Sequence, residues 1–127
     1  MKRLPDSELE LMLIIWDAHE AVNRIYIQER LNQSKELAPT TILSFLSRLE
    51  AKGFLKVEKR GKVNYYYPLV SQEAYANNES KTVLEKFFGN SIKNFIAQLN
   101  NAKSVNEEQI QELKDFLDNL PSEEKKK

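Results

Sequence analysis

The sequence has 127 residues, and its hydrophobic share of 41% allows one small domain core plus an additional segment. It has no cysteine and a single histidine, which excludes disulfides, thiol catalysis and thiolate metal sites, so we expect no cofactor. The 19 basic and 19 acidic residues cancel, but six bases and two acids lie between Arg48 and Lys62, which makes that stretch a candidate anion-binding surface.

The first predicted helix extends from Ser7 to Ala18. Ser7 and Glu10 have the spacing of a capping box, in which each side chain accepts a hydrogen bond from the backbone N–H of the other residue. Apolar residues then recur at helical intervals and are expected to face a core. They are Leu9, Met12, Leu13 and Trp16.

A second, shorter helix is predicted in the segment NRIYIQERLNQ. Asn23 is available as its N-cap, and the positions expected to be mostly buried are Ile25, Ile27 and Leu31. A polar interval then leads to Pro39. This proline suits the first turn of a third helix, because its missing N–H would have no partner there.

The third predicted helix, Thr40 to Lys52, has two faces of different character when its residues are placed about 100° apart. The core-facing stripe consists of Ile42, Phe45, Leu46 and Leu49. The opposite side and its flanks carry Thr40, Thr41, Leu43, Ser44, Ser47, Arg48 and Ala51.

Short hydroxyl side chains dominate this outer face, where a solvated helix would usually carry lysine and glutamate. A helix that enters the major groove benefits from such a face, because hydroxyls donate to phosphates and base edges without blocking close approach. Leu43 could contact thymine methyl groups. The face therefore favours DNA binding, and an ordinary solvated surface without a ligand is the alternative.

A β-hairpin is predicted after Gly53, a residue that suits the left-handed conformation at the end of a helix. Gly61 supplies the turn, and the tip from Lys59 to Lys62 is basic. A lone hairpin is unstable in water, so we expect its apolar positions to pack on the helices. These positions are Leu55, Val57, Val63, Tyr65 and Tyr67. Three helices followed by such a hairpin predict a winged helix-turn-helix domain at residues 1–70.

Residues 71–127 are predicted to form a helical dimerisation domain. Gly89 interrupts its first apolar stripe, and Ser104 and Glu107 have capping-box spacing ahead of its last helix. The apolar residues include Leu84, Phe87, Phe88, Ile92, Phe95, Ile96, Leu99, Ile110, Leu113 and Leu117. A second copy of the chain could cover them, and folding back onto the winged domain is the alternative. The charged tail SEEKKK is expected to fray.

Three motifs together resemble the penicillinase-repressor family, which includes the methicillin-resistance and copper-responsive repressors of Gram-positive bacteria. They are LPDSELELMLIIW, APTTILSFLSRLEAKGFL and RGKVNYYYPLVSQEAY, and the likeness covers nearly the whole chain. The resemblance implies a homodimeric repressor that binds a palindromic double-stranded DNA operator and is held together by its C-terminal helices. The operator-reading face that it implies is Thr40, Thr41, Leu43, Ser44, Ser47 and Arg48, with Arg60 and Lys62 at the wing tip.

Lys52, from the basic stretch, completes the predicted DNA-binding set. Thr40 and Ser47 occupy positions where members of the family often carry lysine, so we expect weaker non-specific DNA binding.

Copper-responsive members carry C-terminal cysteines that this chain lacks, so copper-triggered release is not implied. Resistance repressors are inactivated when a membrane sensor protease cuts an Asn–Phe bond. The equivalent place here reads Gln98–Leu99, with Asn94–Phe95 one helical turn earlier, so a sensor protease is a candidate partner.

The sequence thus predicts a transcriptional repressor, with a winged-helix protein-interaction module as the alternative. An enzyme is not expected, because the chain lacks a glycine-rich phosphate loop and a nucleophile–base arrangement, and His19 is interpreted as a surface residue. No apolar run approaches the length that spans a bilayer. We therefore expect a cytoplasmic protein without membrane insertion.

Overall fold

The computed structural model describes residues 1–121, and within that range the chain forms six helices and one antiparallel β-hairpin. In chain order the elements are α1 (Asp6–Ala18), α2 (Arg24–Leu31), α3 (Pro39–Ala51), β1 (Leu55–Arg60), β2 (Val63–Pro68), α4 (Gln72–Phe88), α5 (Ile92–Asn101) and α6 (Glu107–Asp118). The charged tail at residues 122–127 lies outside the described range. None of the helices between residues 1 and 121 is long and apolar enough to cross a bilayer.

Contacts within the chain divide it into two compact units, Met1–Ser80 and Lys81–Lys127. The first unit contains the three helices and the hairpin of a winged helix, as the sequence predicted, together with the first turns of α4. Those turns belong to it because Tyr75 is only 4% exposed and packs against the rings of Trp16 and Phe54.

The first unit has one continuous apolar core, to which α1 contributes the largest stripe. Leu11, Met12, Ile15 and Trp16 are buried on that helix, together with the carboxylate residue Glu8. Leu13 was predicted to be buried but is 45% exposed, and Leu9 lies at the edge of the core. Residues 11–16 are all apolar, so the periodicity of the sequence could not determine which of them turn inward.

The predicted capping box at Ser7 and Glu10 is wrong. The helix begins one residue earlier, at Asp6, and its N-cap is Pro5, which makes no side-chain capping hydrogen bond. The carbonyl of Pro5 accepts the first helical bond from the Leu9 N–H at 2.9 Å. A capping box requires its first residue to lie outside the helix, so a start at Asp6 removes the motif.

Helix α2 is capped as predicted, because the Asn23 side chain accepts a hydrogen bond from the Tyr26 N–H at 2.8 Å. Ile27 and Leu31 are buried, which also confirms the prediction. Ile25 was expected to be buried as well but is 55% exposed. Ile25 and Ile27 are two residues apart, so they cannot share one face of a helix.

Helix α3 has Pro39 in its first turn and ends with a complete Schellman motif. Gly53 adopts a φ of 83° and donates its N–H to the Glu50 carbonyl at 3.0 Å, while the Phe54 N–H binds the Leu49 carbonyl at 2.9 Å. Both bonds satisfy carbonyls that the helix end would leave free. Phe54 and Leu49 are also fully buried, so the motif fixes the direction in which the chain leaves α3.

The two strands of the hairpin pair in register, with Val57 opposite Tyr66 and Leu55 opposite Pro68. Opposed residues lie on the same face of a sheet, so Tyr66 shares a face with Val57 and also with Leu55, which is two residues before Val57. Leu55 is buried in the core, so this is the core face. The predicted apolar alternation of the return strand through Val63, Tyr65 and Tyr67 is therefore wrong by one residue. Tyr66 is 5% exposed, whereas Val63 is 44% exposed.

In the second unit α4 ends at Phe88, and the predicted interruption at Gly89 is confirmed by left-handed φ angles of 54° at Gly89 and 65° at Asn90. The predicted capping box at Ser104 and Glu107 is wrong. The motif is present two residues later, where Asn106 and Gln109 cap α6 reciprocally. No residue of α5 or α6 is buried in the monomer.

Candidate nucleic-acid interface

The outer face of α3 is the surface that the sequence predicted. Its buried stripe is Ile42, Leu46 and Leu49, with Phe45 packed at the edge of the core. On the opposite side Thr40, Leu43, Ser44, Ser47, Arg48 and Ala51 are exposed, and Thr41 is partly exposed. Most of this face consists of short side chains, so another macromolecule can approach the helix backbone closely.

The N-terminal end of α3 is also open to an anion. Its first turn contains no acidic residue, and its N-cap, Ala38, has no polar side chain that could accept from the backbone N–H groups of that turn. These N–H groups carry the positive end of the helix dipole, which attracts phosphate. Thr40 and Thr41 add hydroxyl donors at the same end.

Arg48 is the cation of the outer face. Its guanidinium lies 5.7 Å from the centre of the Phe45 ring, one turn back along α3. Among the residues that the structure describes, no acidic side chain forms an ion pair with Arg48. Its five N–H donors are thus available for the oxygen and nitrogen acceptors of a guanine edge or for a phosphate.

Lys52 differs from the other predicted contact residues. It is the C-cap of α3, and its Nζ lies 2.5 Å from the Glu8 carboxylate of α1. Its side chain is only 21% exposed, and that of Glu8 is 4% exposed. The sequence offered one signal for this pair, a glutamate at a helical interval from Met12 and Ile15 within an apolar stripe, but Lys52 was interpreted only as part of the basic stretch.

The hairpin carries the remaining predicted cations at its tip. Arg60 stacks on the Tyr65 ring at 4.5 Å and forms an ion pair with Glu58 at 2.8 Å. The hydrogen bond that Arg60 donates to the Glu58 carboxylate raises the pKa of its guanidinium, which therefore stays charged. Lys62 is exposed beyond the turn at Gly61, which has a φ of 65°. Both of these predicted cations are therefore exposed at the tip, and Arg60 is held by its neighbours.

Between residues 1 and 121 no group of three His, Asp or Glu side chains lies close enough to hold a metal ion.

The residues predicted for dimerisation lie on α4, α5 and α6 of the second unit. Phe88 and Phe95 contact each other with ring centres 5.2 Å apart. The partly exposed members of the predicted set are Leu84, Phe88, Phe95, Ile96, Leu99, Ile110 and Leu113. The exposed members are Phe87, Ile92 and Leu117, at 68%, 66% and 55%. The described residues of this unit thus leave many of its large apolar side chains partly or fully exposed.

The chain is similar to known proteins in sequence and to a solved structure in fold. A penicillinase repressor from Bacillus licheniformis is 30% identical over 121 residues, which cover 93% of this chain and 94% of that protein. The methicillin resistance regulatory protein MecI of Staphylococcus aureus strain N315 is 27% identical over 115 residues, covering 90% and 92%. The solution structure of monomeric Bacillus licheniformis BlaI in complex with the blaP half-operator matches with a TM-score of 0.50 and 32% identity, covering 58% of this chain and 89% of that one.

The family model described as penicillinase repressor matches residues 4–119, which cover most of both compact units. The resemblance that the three sequence motifs indicated is therefore confirmed. This protein belongs to the penicillinase repressor family.

Proposed function

We propose that the protein is a dimeric transcriptional repressor that binds a palindromic DNA operator through α3 and the basic wing. The observation that carries the proposal is the exposed face of α3, which consists mostly of short side chains. On this face Arg48 forms no ion pair with an acidic residue of the described chain. One relative that the chain resembles is a penicillinase repressor. A solved structure that it resembles is that of BlaI in complex with a half-operator.

In this mechanism α3 enters the major groove as the recognition helix. Its 13 residues would span about 20 Å at the usual rise of 1.5 Å per residue, which is enough to cross the groove. Ser44 and Ser47 allow the helix to lie deep, and Arg48 reaches a base edge or a phosphate. Arg60 and Lys62 then bind flanking phosphates, so no catalytic step is needed for repression.

Two substitutions of the same kind test the use of this face. Ser47→Glu adds length and negative charge to the outer face of α3, and Ser80→Glu makes the same change at an exposed position of α4. We expect Ser47→Glu to abolish the shift of duplex DNA in a gel, and Ser80→Glu to bind like the natural chain. Equal binding by both variants would contradict the proposed interface.

A salt series with random duplex separates this function from that of a protein-interaction module. A repressor that neutralises phosphates loses affinity with a log–log slope of about −0.9 per contact. A protein-interaction module would give no shift at any salt concentration. The natural chain should therefore bind random duplex at low salt and release it progressively as salt is added.

Dimerisation is the second part of the proposal, and the uncovered apolar residues of the second unit support it. A two-fold interface buries the same surface on both copies, which doubles the apolar area removed from water. Linking two α3 helices also makes the second half-site contact intramolecular, so the pair binds much more tightly than either unit alone.

Ile92 and Ile25 provide a matched test of the dimer. They are 66% and 55% exposed, on α5 and α2 respectively. Ile92→Glu should give a monomer in sedimentation analysis, because it adds a charge to the apolar surface that the partner copy would cover. Ile25→Glu should remain dimeric. A natural chain that sediments as a monomer at micromolar concentration would refute this part.

A sensor protease acting in the C-terminal segment is the third proposed element. Asn94–Phe95 and Gln98–Leu99 both lie within α5, where the backbone is helical, so the helix must open before either bond can enter a protease. Mass spectrometry of the protein from induced host cells should detect fragments that end at Asn94 or Gln98. Intact chain in fully derepressed cells would exclude this route.

A further inference from the structure

A buried carboxylate supports the end of the recognition helix. Glu8 is 3% exposed and is the one charged residue buried in the described part of the chain. Its Oε1 atom binds the Nζ of Lys52, which is 44 residues away in sequence, at 2.5 Å. This contact joins the first turns of α1 to the C-cap of α3.

A second ion pair joins α1 to the loop that precedes α3. Glu10 of α1 binds Lys35, which precedes α3, with the Oε1 and Nζ atoms 2.9 Å apart. Both of its side chains are well exposed, at 37% for Glu10 and 43% for Lys35. Exposed pairs of this kind contribute little, because water and salt screen them, whereas burial shields the Glu8 carboxylate of the other pair from both.

Burial makes the position of Glu8 dependent on Lys52. A carboxylate removed from water is strongly unfavourable without a partner, so the two groups must stay together while the domain is folded. Lys52 is the residue that ends α3, directly before the Schellman turn at Gly53. The pair therefore fixes where the C-terminal end of α3 lies against α1.

We infer that Glu8 is a positioning residue for the recognition helix, and that Lys52 holds that helix in place rather than binding a DNA phosphate. The inference rests on the proposed function of α3. Arg48 lies one turn before Lys52, so a shift of the helix end would move its guanidinium away from the base that it reads.

The sign of the charge change provides a sharp test. Glu8→Gln and Glu10→Gln each remove one negative charge from α1, and each therefore makes the protein more attractive to DNA. If Lys52 bound phosphate, Glu8→Gln would free it and strengthen binding to all sequences. If Glu8 positions α3, the same variant shows a weaker preference for its operator, although the protein has lost one negative charge.

The readout is the affinity for the operator divided by the affinity for random duplex. The operator is the sequence that the natural chain selects. We expect Glu8→Gln to reduce this ratio by about tenfold, the loss typical of one misread base pair. Glu10→Gln should keep the ratio of the natural chain. An unchanged or increased ratio in Glu8→Gln would overturn the inference.

A double variant keeps the test valid if Glu8→Gln does not fold. Glu8→Gln combined with Lys52→Gln leaves no unpaired buried charge, so the domain should fold, as circular dichroism would show. The reduced ratio should persist, because the ion pair is still missing. A double variant with the ratio of the natural chain would refute the positioning role.

These outcomes are distinct from failure of the proposed function. If the natural chain shows no preference for any duplex, the repressor proposal fails before the variants are compared. If the natural chain selects an operator and Glu8→Gln reads it equally well, the positioning role alone fails.

Discussion

Val22 and Tyr66 exchange two backbone hydrogen bonds, from the Val22 N–H to the Tyr66 carbonyl at 3.0 Å and from the Tyr66 N–H to the Val22 carbonyl at 2.7 Å. β1 pairs with one edge of β2, and Val22 pairs with the other. The base of the wing is thereby fixed to the segment between α1 and α2.

Tyr66 and its neighbour Tyr65 should respond differently to truncation. Tyr66→Ala removes a buried ring and should lower the free energy of unfolding by about 3–5 kcal/mol. Tyr65→Ala removes a partly exposed ring that contacts Arg60, and should cost about 1 kcal/mol or less. Urea unfolding followed by the fluorescence of Trp16, the single tryptophan, measures both values. Equal losses would contradict the register of the hairpin.

Arg48 is expected to supply sequence preference. Arg48→Ala should weaken binding to the selected operator by about 1–3 kcal/mol and relax the preference at one base position per half-site. The measurement is fluorescence anisotropy with the operator and with single-base variants of it. Lys114→Ala, which removes an exposed cation from α6, is the control and should leave the preference unchanged. A uniform loss on all sequences would show that Arg48 contacts only phosphate.

Gly53 should be replaceable only at a conformational cost. Apart from Gly53 and its two neighbours in sequence, no described residue places a heavy atom within 4 Å of the position that its Cβ would occupy, so a methyl group meets no steric obstacle from the rest of the fold. Its φ of 83° is nevertheless unfavourable for other residues, and Gly53→Ala should lower the free energy of unfolding by about 1–2 kcal/mol. Gly53→Asn should cost less, because asparagine tolerates left-handed angles better. Thermal unfolding of both variants checks the order.

Tyr75 should make stability depend on alkaline pH. Burial raises the pKa of its hydroxyl above the usual value, and the group accepts a hydrogen bond from the Leu4 N–H at 2.8 Å and donates one to Glu79 at 3.1 Å. The unfolded chain loses the Tyr75 proton first as pH rises above about 10, so unfolding becomes more favourable there. This stabilising contribution is complete below that pH and is lost as pH rises through the folded pKa.

Tyr75→Phe isolates this effect from the other titrating groups. We expect the melting temperature of the natural chain to fall more steeply between pH values of about 9 and 11 than that of Tyr75→Phe. The variant should also be less stable at neutral pH, because the Leu4 N–H loses its buried acceptor. Parallel melting curves across the alkaline range would contradict the role of burial.

The winged-helix architecture could be predicted from the sequence because its signals are local. Pro39, Gly53 and Gly89 act through their own backbone preferences, Asn23 acts through a side-chain hydrogen bond to a residue three positions later, and the structure confirms all four. The buried stripe of α3 was also predictable, because Ile42, Leu46 and Leu49 alternate with hydroxyl residues that make the two faces distinct.

The errors arose where the sequence offers two equivalent choices. Residues 11–16 are uniformly apolar, and three consecutive tyrosines occupy β2, so neither the exposed face of α1 nor the inward residue of β2 could be derived from periodicity. Ser104 and Asn106 both have a cap-forming partner three residues later, and the structure uses Asn106. The contacts of Glu8 with Lys52 and of Val22 with Tyr66 join residues 44 apart in each case, which local patterns do not encode.

Selection of bound sequences from a random duplex pool tests the central claim most directly. The natural chain should enrich an inverted repeat whose half-sites are centred about 10 base pairs, or a multiple of this, apart, because two α3 helices related by a two-fold axis read successive major grooves. Ser47→Glu should enrich nothing. A pool that stays random with the natural chain, or a repeat that Ser47→Glu selects equally well, would contradict the account.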